Sequence, residues 1–425
     1  MRRILIVAPL AMLANACSSH AAHSGPPEPS AAVVVDPARA IASLAAAAAP
    51  RLIELRRDLH RHPELAEHET RTSALVAERL EALGLEVRRN VGGHGVIGVL
   101  HGRRSGGVVA YRADMDAFHG NEPARPYAST VPGVQHVCGH DVHVAVGIGI
   151  ATVLSKLRDE LPGTVVFVFQ PAEENLHGAA AMLRDGALAN PRPDAIFAVH
   201  TWPLPVGTIG YAPGEGIAGM DQWTIETPGD GVLAASIVEG FGTIQLPDRP
   251  QAWGDLDQRL RRAGGFERAV FVGASAKPLA NGRTKVEAIV KAVRDEQYPE
   301  LRAALKDRLD RAIGADRYTL AFSDPPFPAM RSDVREAERG ARTLASVLGA
   351  ERVERYRSTL PFAGEDFSLF LKAVPGAMFF LGVANRDKGI AGMPHQPEFD
   401  ADEAAIEVGT RAMANVIWQR LAAPR

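Results

Sequence analysis

Short apolar runs that end in polar residues are the feature of this chain that most restricts its fold. Four such runs occupy residues 108–111, 164–169, 195–199 and 377–381. Runs of this length, bounded by polar residues, Gly or Pro, are typical of buried strands in a parallel sheet. The sequence therefore predicts an α/β fold in which a mainly parallel sheet is flanked by helices.

Side chains that can bind metals or move protons follow these predicted strands. In strand order they are Asp114 and Asp116, then Glu173 and Glu174, then His200, and finally His395 in the loop after the fourth strand. In open α/β sheets, ligands collect beyond the carboxyl ends of the strands. A solvated surface can carry any one of these groups, but their recurrence after four strands favours a common site.

A cluster of metal-binding side chains occupies residues 138–143. It contains Cys138, His140, Asp141 and His143, in a chain with only two cysteines. Zinc and similar borderline-soft ions accept sulfur, imidazole nitrogen and carboxylate oxygen together, whereas magnesium and calcium prefer oxygen. The cluster predicts the first half of a metal site, although short Cys/His clusters also arise by chance.

The adjacent carboxylates Glu173 and Glu174 can divide the work of metal-assisted hydrolysis. Two ions roughly 3.5 to 4 Å apart can polarise an amide carbonyl and lower the pKa of a shared water. A neighbouring carboxylate then takes the proton of the water and delivers it to the leaving nitrogen. Adjacent side chains at a strand end point in different directions, so one glutamate can bind metal while the other acts on water. An exposed helix start is the alternative, but the apolar strand upstream favours the site.

Seven motifs, taken together and in order, resemble a known enzyme family. They are RRDLHRHPE at 56–64, RADMD at 112–116, CGHDVH at 138–143, QPAEE at 170–174, HTWP at 200–203, GEDF at 364–367 and PH at 394–395. They resemble the aminoacylase and hippurate hydrolase branch of the dinuclear-metal amidohydrolases, which includes the hydrolases of auxin conjugates and is related to carboxypeptidase G. The resemblance implies a zinc-exopeptidase-like catalytic domain with a smaller α+β lid domain inserted into it.

The resemblance also implies a role for each matching residue. Two divalent ions, zinc or manganese, would be held by Cys138, His140, Glu174, His200 and His395. Glu173 would be the general base. Supporting residues that orient the ligands would be Asp114, Asp116, His143 and Asp366.

The predicted lid departs from the pattern of this family. There, the first lid strand leads into a Gly-Gly-His or Gly-Ser-His stretch whose histidine reaches the substrate carbonyl. The corresponding residues 224–233 contain no histidine, and neither does the rest of residues 201–394. Because such a donor contributes roughly 3 to 4 kcal/mol, either another group replaces it or catalysis is weak.

Polar residues of the predicted lid have two interpretations each. Asn281 either matches the lid asparagine of the family or belongs to an ordinary Asn-Gly turn. Arg283, Lys285 and Lys291 can bind a substrate carboxylate, but exposed cations are common on any domain.

The N-terminus resembles an export signal. Arg2 and Arg3 precede an apolar stretch at residues 4–13, and small residues then lead to Cys17. The stretch is too short to span a membrane as a mature helix. The residues before Cys17 resemble a bacterial lipoprotein box, which leaves both lipid attachment and simple cleavage open. We expect an exported, periplasmic protein, anchored to the membrane if Cys17 is acylated.

Length and charge complete the predicted organisation. A chain of 425 residues is long enough for two or more domains, and its net charge of −3 gives no reason to propose a nucleic-acid partner. We predict a signal and linker at 1–38, a catalytic domain at 39–216 and 326–425, and an inserted α+β lid at 217–325. The lid can also support a homodimer.

The predicted function is hydrolysis of the amide bond in N-acyl amino acids or similar small amides. One alternative is a dipeptidase or aminopeptidase of the same superfamily, which requires recognition of a free α-amino group. Another is a catalytically weak or silent lipoprotein that binds a metal or ligand, because the lid histidine is missing. Retention of five ligand positions and Glu173 favours the enzyme.

Overall fold

The structure is a computed structural model that describes Met1 and residues 36–423 except 246–255, 257, 263, 359, 391 and 392. The described residues from Pro37 onward form one compact unit. The predicted export signal and Cys17 lie outside the described residues. Among the helices described, none is both long and apolar enough to cross a membrane.

An eight-stranded sheet lies at the centre of the unit that begins at Pro37. In spatial order its strands are β1 (Glu86–Val91), β2 (Gly95–His101), β6 (Pro162–Gln170), β3 (Arg104–Asp114), β7 (Ala195–Pro205), β16 (Gly376–Ala384), β8 (Ile209–Tyr211) and β15 (Val353–Arg355). The four central strands β6, β3, β7 and β16 run parallel, and β1, β2 and β8 add antiparallel pairs. The four predicted strands are these central ones, so the predicted α/β sheet is confirmed.

Helices cover both faces of this sheet because successive side chains of a strand point to opposite faces. On one face, Tyr111, Phe167 and Phe379 belong to a core shared with five helices. These are α1 (Pro37–Arg61), α2 (Thr70–Ala82), α3 (His140–Lys156), α7 (Val334–Leu348) and α9 (Ala404–Ala422). On the other face, Val168 and Phe380 share a core with α4 (Gly178–Arg184) and α8 (Phe367–Ala373).

A second, antiparallel sheet is formed by β11 (Val270–Pro278), β12 (Arg283–Ala292), β10 (Gly219–Pro228) and β13 (Thr319–Phe322), in this order. Trp223, Val286 and Val290 on one of its faces share a core with α5 (Gly231–Glu239) and α6 (Tyr298–Ala312). This α+β layer lies within the range predicted for the inserted lid. The exact domain boundaries stay a prediction.

The described chain also contains several short elements. They are the paired strands β4 (Phe118–His119) and β5 (Val134–Gln135), the paired strands β9 (Gly214–Ile217) and β14 (Met330–Ser332), and the 3-10 turns Asp295–Gln297, Ala350–Arg352 and Arg386–Lys388. Strands β9 and β14 flank the segment that contains the second sheet.

Candidate active site

A pocket of about 610 Å³ lies at the carboxyl ends of the central strands. Glu173 and Glu174 line it directly after β6, and His200 lines it from β7. The second sheet contributes a further wall, formed by the cross-strand pairs Met220 with Lys291 and Gln222 with Ile289 of β10 and β12. The pocket is therefore bounded by both sheets.

All five side chains predicted as metal ligands meet at this pocket. The Cys138 sulfur lies 3.3 Å from His200 Nε2. Potential ligand atoms of Cys138, His140 and His200 lie within 4.8 Å of one another, and the same holds for Cys138, Glu174 and His395. Side chains from distant parts of the chain thus converge on one cluster.

The backbone at Gly139 brings Cys138 and His140 to the same point. Gly139 has a φ of +87°, a left-handed conformation that glycine adopts without strain. A Cβ at this position would lie 2.7 Å from the Thr201 side chain. His140 then begins α3, so a larger residue at 139 would displace the predicted ligands Cys138 and His140 on either side.

Two imidazoles direct an unprotonated nitrogen into the cluster. His140 Nδ1 donates to the backbone oxygen of Asp116 at 2.8 Å, and His200 Nδ1 donates to the backbone oxygen of Thr201 at 2.8 Å. Each ring therefore keeps its proton on Nδ1 and presents the lone pair of Nε2, as a metal ligand requires.

The donor set fits bound cations. Buried His140 Nε2 and Glu174 Oε1 have no hydrogen-bond partner among the described residues. Unsatisfied buried polar atoms are costly, and a cation between them would satisfy both. Thiol, imidazole and carboxylate together match borderline-soft divalent ions.

His143 and Asp114 are engaged by protein groups. His143 Nδ1 donates to Asp114 Oδ1 at 2.5 Å, and its Nε2 accepts from the backbone nitrogen of Thr201 at 2.8 Å. Both ring nitrogens of His143 are therefore occupied. Asp116 Oδ2 accepts from the backbone nitrogen of Glu174 at 2.8 Å. These contacts fit the supporting positions predicted for the three residues.

The structure does not bring Asn281 to the pocket. Its side-chain oxygen accepts from the backbone nitrogen of Arg283 at 3.0 Å, in the turn between β11 and β12. This contact matches the turn interpretation of the Asn-Gly pair.

Burial disfavours the charged forms of Glu173, Glu174 and His200. It raises the pKa of Glu173 well above its ordinary value and the pKa of Glu174 to about 8. It also lowers the pKa of His200 to about 3. Neutral imidazoles are the form that binds metals, and a cation would compensate the charge of the carboxylates.

The family profile of peptidase family M20/M25/M40 matches residues 110–419. The chain belongs to this family. The predicted family and the predicted enzyme class, a metal-dependent hydrolase of amide bonds, are therefore confirmed. N-acetylcysteine deacetylase of Bacillus subtilis (strain 168) is 32% identical over 86% of this chain and 96% of its own length. IAA-amino acid hydrolase ILR1-like 4 of Arabidopsis thaliana is 30% identical over 87% of this chain and 86% of its own length.

Solved structures share the fold of this M20 enzyme. The YXEP protein of Bacillus subtilis, described as a dinuclear metal binding peptidase of the M20 family, has a TM-score of 0.71 and 31% identity. The match covers 88% of this chain and 99% of that one. An aminohydrolase-like protein of methicillin-resistant Staphylococcus aureus has a TM-score of 0.75 and 26% identity, covering 90% and 99% of the two chains.

A buried arginine pairs with carboxylates at the pocket of this M20 enzyme. Arg112 pairs with Asp114 Oδ2 at 2.5 Å, Glu365 Oε1 at 3.0 Å and Asp366 Oδ1 at 3.2 Å, and donates to Gln170 Oε1 at 2.8 Å. Glu365 also lines the pocket. The sequence had indicated Asp366 as a supporting residue without revealing Glu365, although both belong to the GEDF motif.

Replacing Arg112 by Met should lower the free energy of unfolding by about 3 to 5 kcal/mol, because buried carboxylates lose their cation. Urea denaturation measures this change. The matched control is Arg89→Met, which breaks an exposed pair with Glu81 and should cost at most about 1 kcal/mol. Equal effects of the two substitutions would contradict a supporting role for Arg112.

Proposed function

We propose that this enzyme hydrolyses the amide bond of N-acyl amino acids, with two divalent ions, zinc or manganese, and Glu173 as general base. The convergence of five ligands around Glu173, in a pocket with one apolar wall and one cationic group, supports this proposal most strongly. The names of the similar N-acetylcysteine deacetylase and IAA-amino acid hydrolase point to the same bond.

The chemistry divides between the adjacent glutamates. Cys138, His140, Glu174, His200 and His395 would hold the ions. Bound divalent ions polarise a carbonyl group and make water a stronger nucleophile at neutral pH. Glu173 takes the proton of the attacking water and delivers it to the leaving nitrogen. Burial raises the pKa of Glu173, which strengthens it as a proton acceptor.

Lys291 is suited to bind the carboxylate of the amino-acid product. It lines the pocket, where its Nζ donates to the backbone oxygen of Phe362 at 2.5 Å. The other two cationic side chains predicted as possible carboxylate ligands, Arg283 and Lys285, have other partners. Arg283 donates to the backbone oxygen of Glu226, and Lys285 pairs with Glu287.

An apolar wall is suited to receive the acyl group. The rings of Trp202 and Phe380 lie 5.4 Å apart, and Ile217 forms a backbone bridge with Leu360. All four side chains are nearly buried and line the pocket. An acyl group would bury apolar surface against this wall, which supports an N-acyl amino acid as the substrate.

We further propose a periplasmic location, with a lipid anchor if Cys17 is acylated, and a homodimer formed through the second sheet. The sequence layout before Cys17 supports the location.

Exposed apolar side chains support the homodimer. Val232 and Leu233, at the start of α5, are 85% and 44% exposed. Such adjacent exposed apolar side chains support a contact with a second copy of the chain.

Substitutions at the glutamate pair test the proposed mechanism. Glu173→Gln should keep the metal content near that of the wild type and lower kcat by roughly a hundredfold to ten-thousandfold, since it removes the general base. Glu174→Gln should lose metal and activity together. Metal analysis and kinetics with an N-acyl amino acid measure both. Unchanged turnover in Glu173→Gln would eliminate Glu173 as the general base. Equal metal loss in both variants would contradict the proposed roles of the two glutamates.

The pH dependence of KM tests Lys291. Burial lowers the pKa of Lys291 to about 8, so its ammonium is present below that pH and is lost above it. KM for an N-acyl amino acid should therefore rise as the pH increases through about 8. Lys291→Arg should reduce this rise, since guanidinium stays protonated.

A neutral substitution gives a second test of the same residue. Lys291→Met should raise KM at pH 7 by about 10- to 100-fold, because a charged hydrogen bond contributes about 1.5 to 3 kcal/mol. The matched control on the same strand is Lys285→Met, which should leave KM within about twofold because Lys285 pairs with Glu287. Equal KM values for the two variants would remove Lys291 from the substrate site.

A further inference from the structure

The loop that carries Glu173 and Glu174 has an unusual backbone. Ala172 and Leu176 both adopt left-handed conformations, with φ of +53° and +63°. The backbone oxygen of Ala172 accepts from the nitrogens of His177 and Gly178 at 3.2 and 3.0 Å. Residues with a Cβ rarely adopt this conformation, so surrounding contacts must hold it.

One of those contacts comes from Glu69. Glu69 is fully buried just before α2, and its Oε1 accepts from the backbone nitrogen of Ala172 at 2.7 Å. The same oxygen accepts from the backbone nitrogen of Glu67 at 3.1 Å. A residue distant in sequence thus fixes the peptide group that precedes the glutamate pair.

The loop is held on the other side by Asp116, whose Oδ2 accepts from the backbone nitrogen of Glu174 at 2.8 Å. The backbone nitrogens of residues 172 and 174 are therefore each bound by a carboxylate from another segment. Glu173 lies between these two fixed points, so its main chain has little freedom to rotate.

A second contact joins the same two segments at the surface. The Glu67 side chain accepts from Asn175 Nδ2 at 3.1 Å and pairs with His177 Nδ1 at 3.0 Å. Residues 67–69 therefore contact the loop of residues 172–177 near both of its ends. Glu69 makes the buried contact, where water does not compete for the hydrogen bond.

The chemistry of Glu69 argues for a specific task. Its Oε2 has no hydrogen-bond partner among the described residues, and among them it forms no ion pair. A buried carboxyl group without a cation is costly to fold. An apolar side chain would fill the same space at lower cost but could not accept the Ala172 hydrogen bond.

We propose that Glu69 is a positioning residue for the active centre. Its acceptor oxygen holds Ala172 in the left-handed conformation, and this conformation sets the directions in which Glu173 and Glu174 leave the chain. The part of this inference that concerns Glu173 rests on the proposed function. The part that concerns Glu174 requires only that this residue binds metal.

Zinc affinity of the full chain, measured by chelator competition with Zn²⁺ alone, tests the inference independently of activity. Glu69→Ala should lower the affinity about 10- to 100-fold, the usual effect of removing a group that orients a ligand. Glu69→Gln keeps an acceptor oxygen for the Ala172 hydrogen bond. Its zinc affinity should therefore stay within about threefold of the wild-type value. Glu69→Asp, which retains the charge but shortens the side chain, should lose affinity and covers the case in which the alanine variant does not fold.

The matched control is Glu64→Ala. Glu64 also accepts two backbone hydrogen bonds, but both come from the first turn of α2, from Arg71 and Thr72, and not from the loop that carries the glutamate pair. This variant should keep its zinc affinity within about threefold, since the Glu64 carboxylate binds backbone of α2 and not the loop that carries Glu174.

A double variant separates positioning from a general loss of packing. Glycine adopts the left-handed conformation without strain, so Ala172→Gly added to Glu69→Ala should recover at least about threefold of the lost zinc affinity. Wild-type zinc affinity in Glu69→Ala, or equal losses in Glu69→Ala and Glu69→Gln, would overturn the inference. If wild-type protein hydrolyses no N-acyl amino acid, the proposed function fails, while the zinc measurements still decide the role of Glu69.

Discussion

The ion pairs of Arg112 are the interaction on which the active centre depends. A single guanidinium, fully buried, contacts carboxylates that come from β3 and from the segment before α8. Without this cation, several carboxylates would be buried close together, and their mutual repulsion would add to the cost of desolvation. Arg112 therefore fixes the relative position of two chain segments and allows the acidic floor of the pocket to fold.

A second group of buried ion pairs holds the start of α3. Arg56, buried in α1, pairs with Asp141 at 2.7 Å, and His60 Nδ1 contacts the same carboxylate at 2.8 Å. Asp141 lies between His140, a predicted metal ligand, and His143, a predicted supporting residue. The first turn of α3 is thus held by charged contacts from α1 and by the contact of His143 with Asp114. The RRDLHRHPE and CGHDVH motifs are parts of one buried network.

The two sheets serve different purposes in the pocket. The parallel sheet supplies side chains for chemistry, because its central strands end at the same edge. The antiparallel sheet supplies only the face that is not used by its own core, and Lys291 lies on that face. The pocket therefore combines a cluster of ionisable side chains from the parallel sheet with apolar and polar side chains from the antiparallel sheet.

The sequence by itself determined the central strands, the presence of helices beside their sheet and the side chains able to bind metals. Apolar runs are local signals, and the four runs identified in the sequence form the central strands β3, β6, β7 and β16. The ligand set was predicted by motif and resemblance, and its members meet in space. The hairpin of β1 and β2 was not predicted, because the exposed side chains of β1 show no regular alternation.

Only the tertiary structure decided which polar residues contact one another. Asn281, Arg283 and Lys285 have the same chemistry as pocket residues, yet only Lys291 among the lid candidates reaches the pocket. Glu69 lies more than a hundred residues before Ala172, with which it shares a hydrogen bond. No local pattern reveals such a pairing, because hydrogen bonds between distant segments depend on how whole strands and helices pack. Sequence therefore specified the chemical groups, and packing selected those that act together.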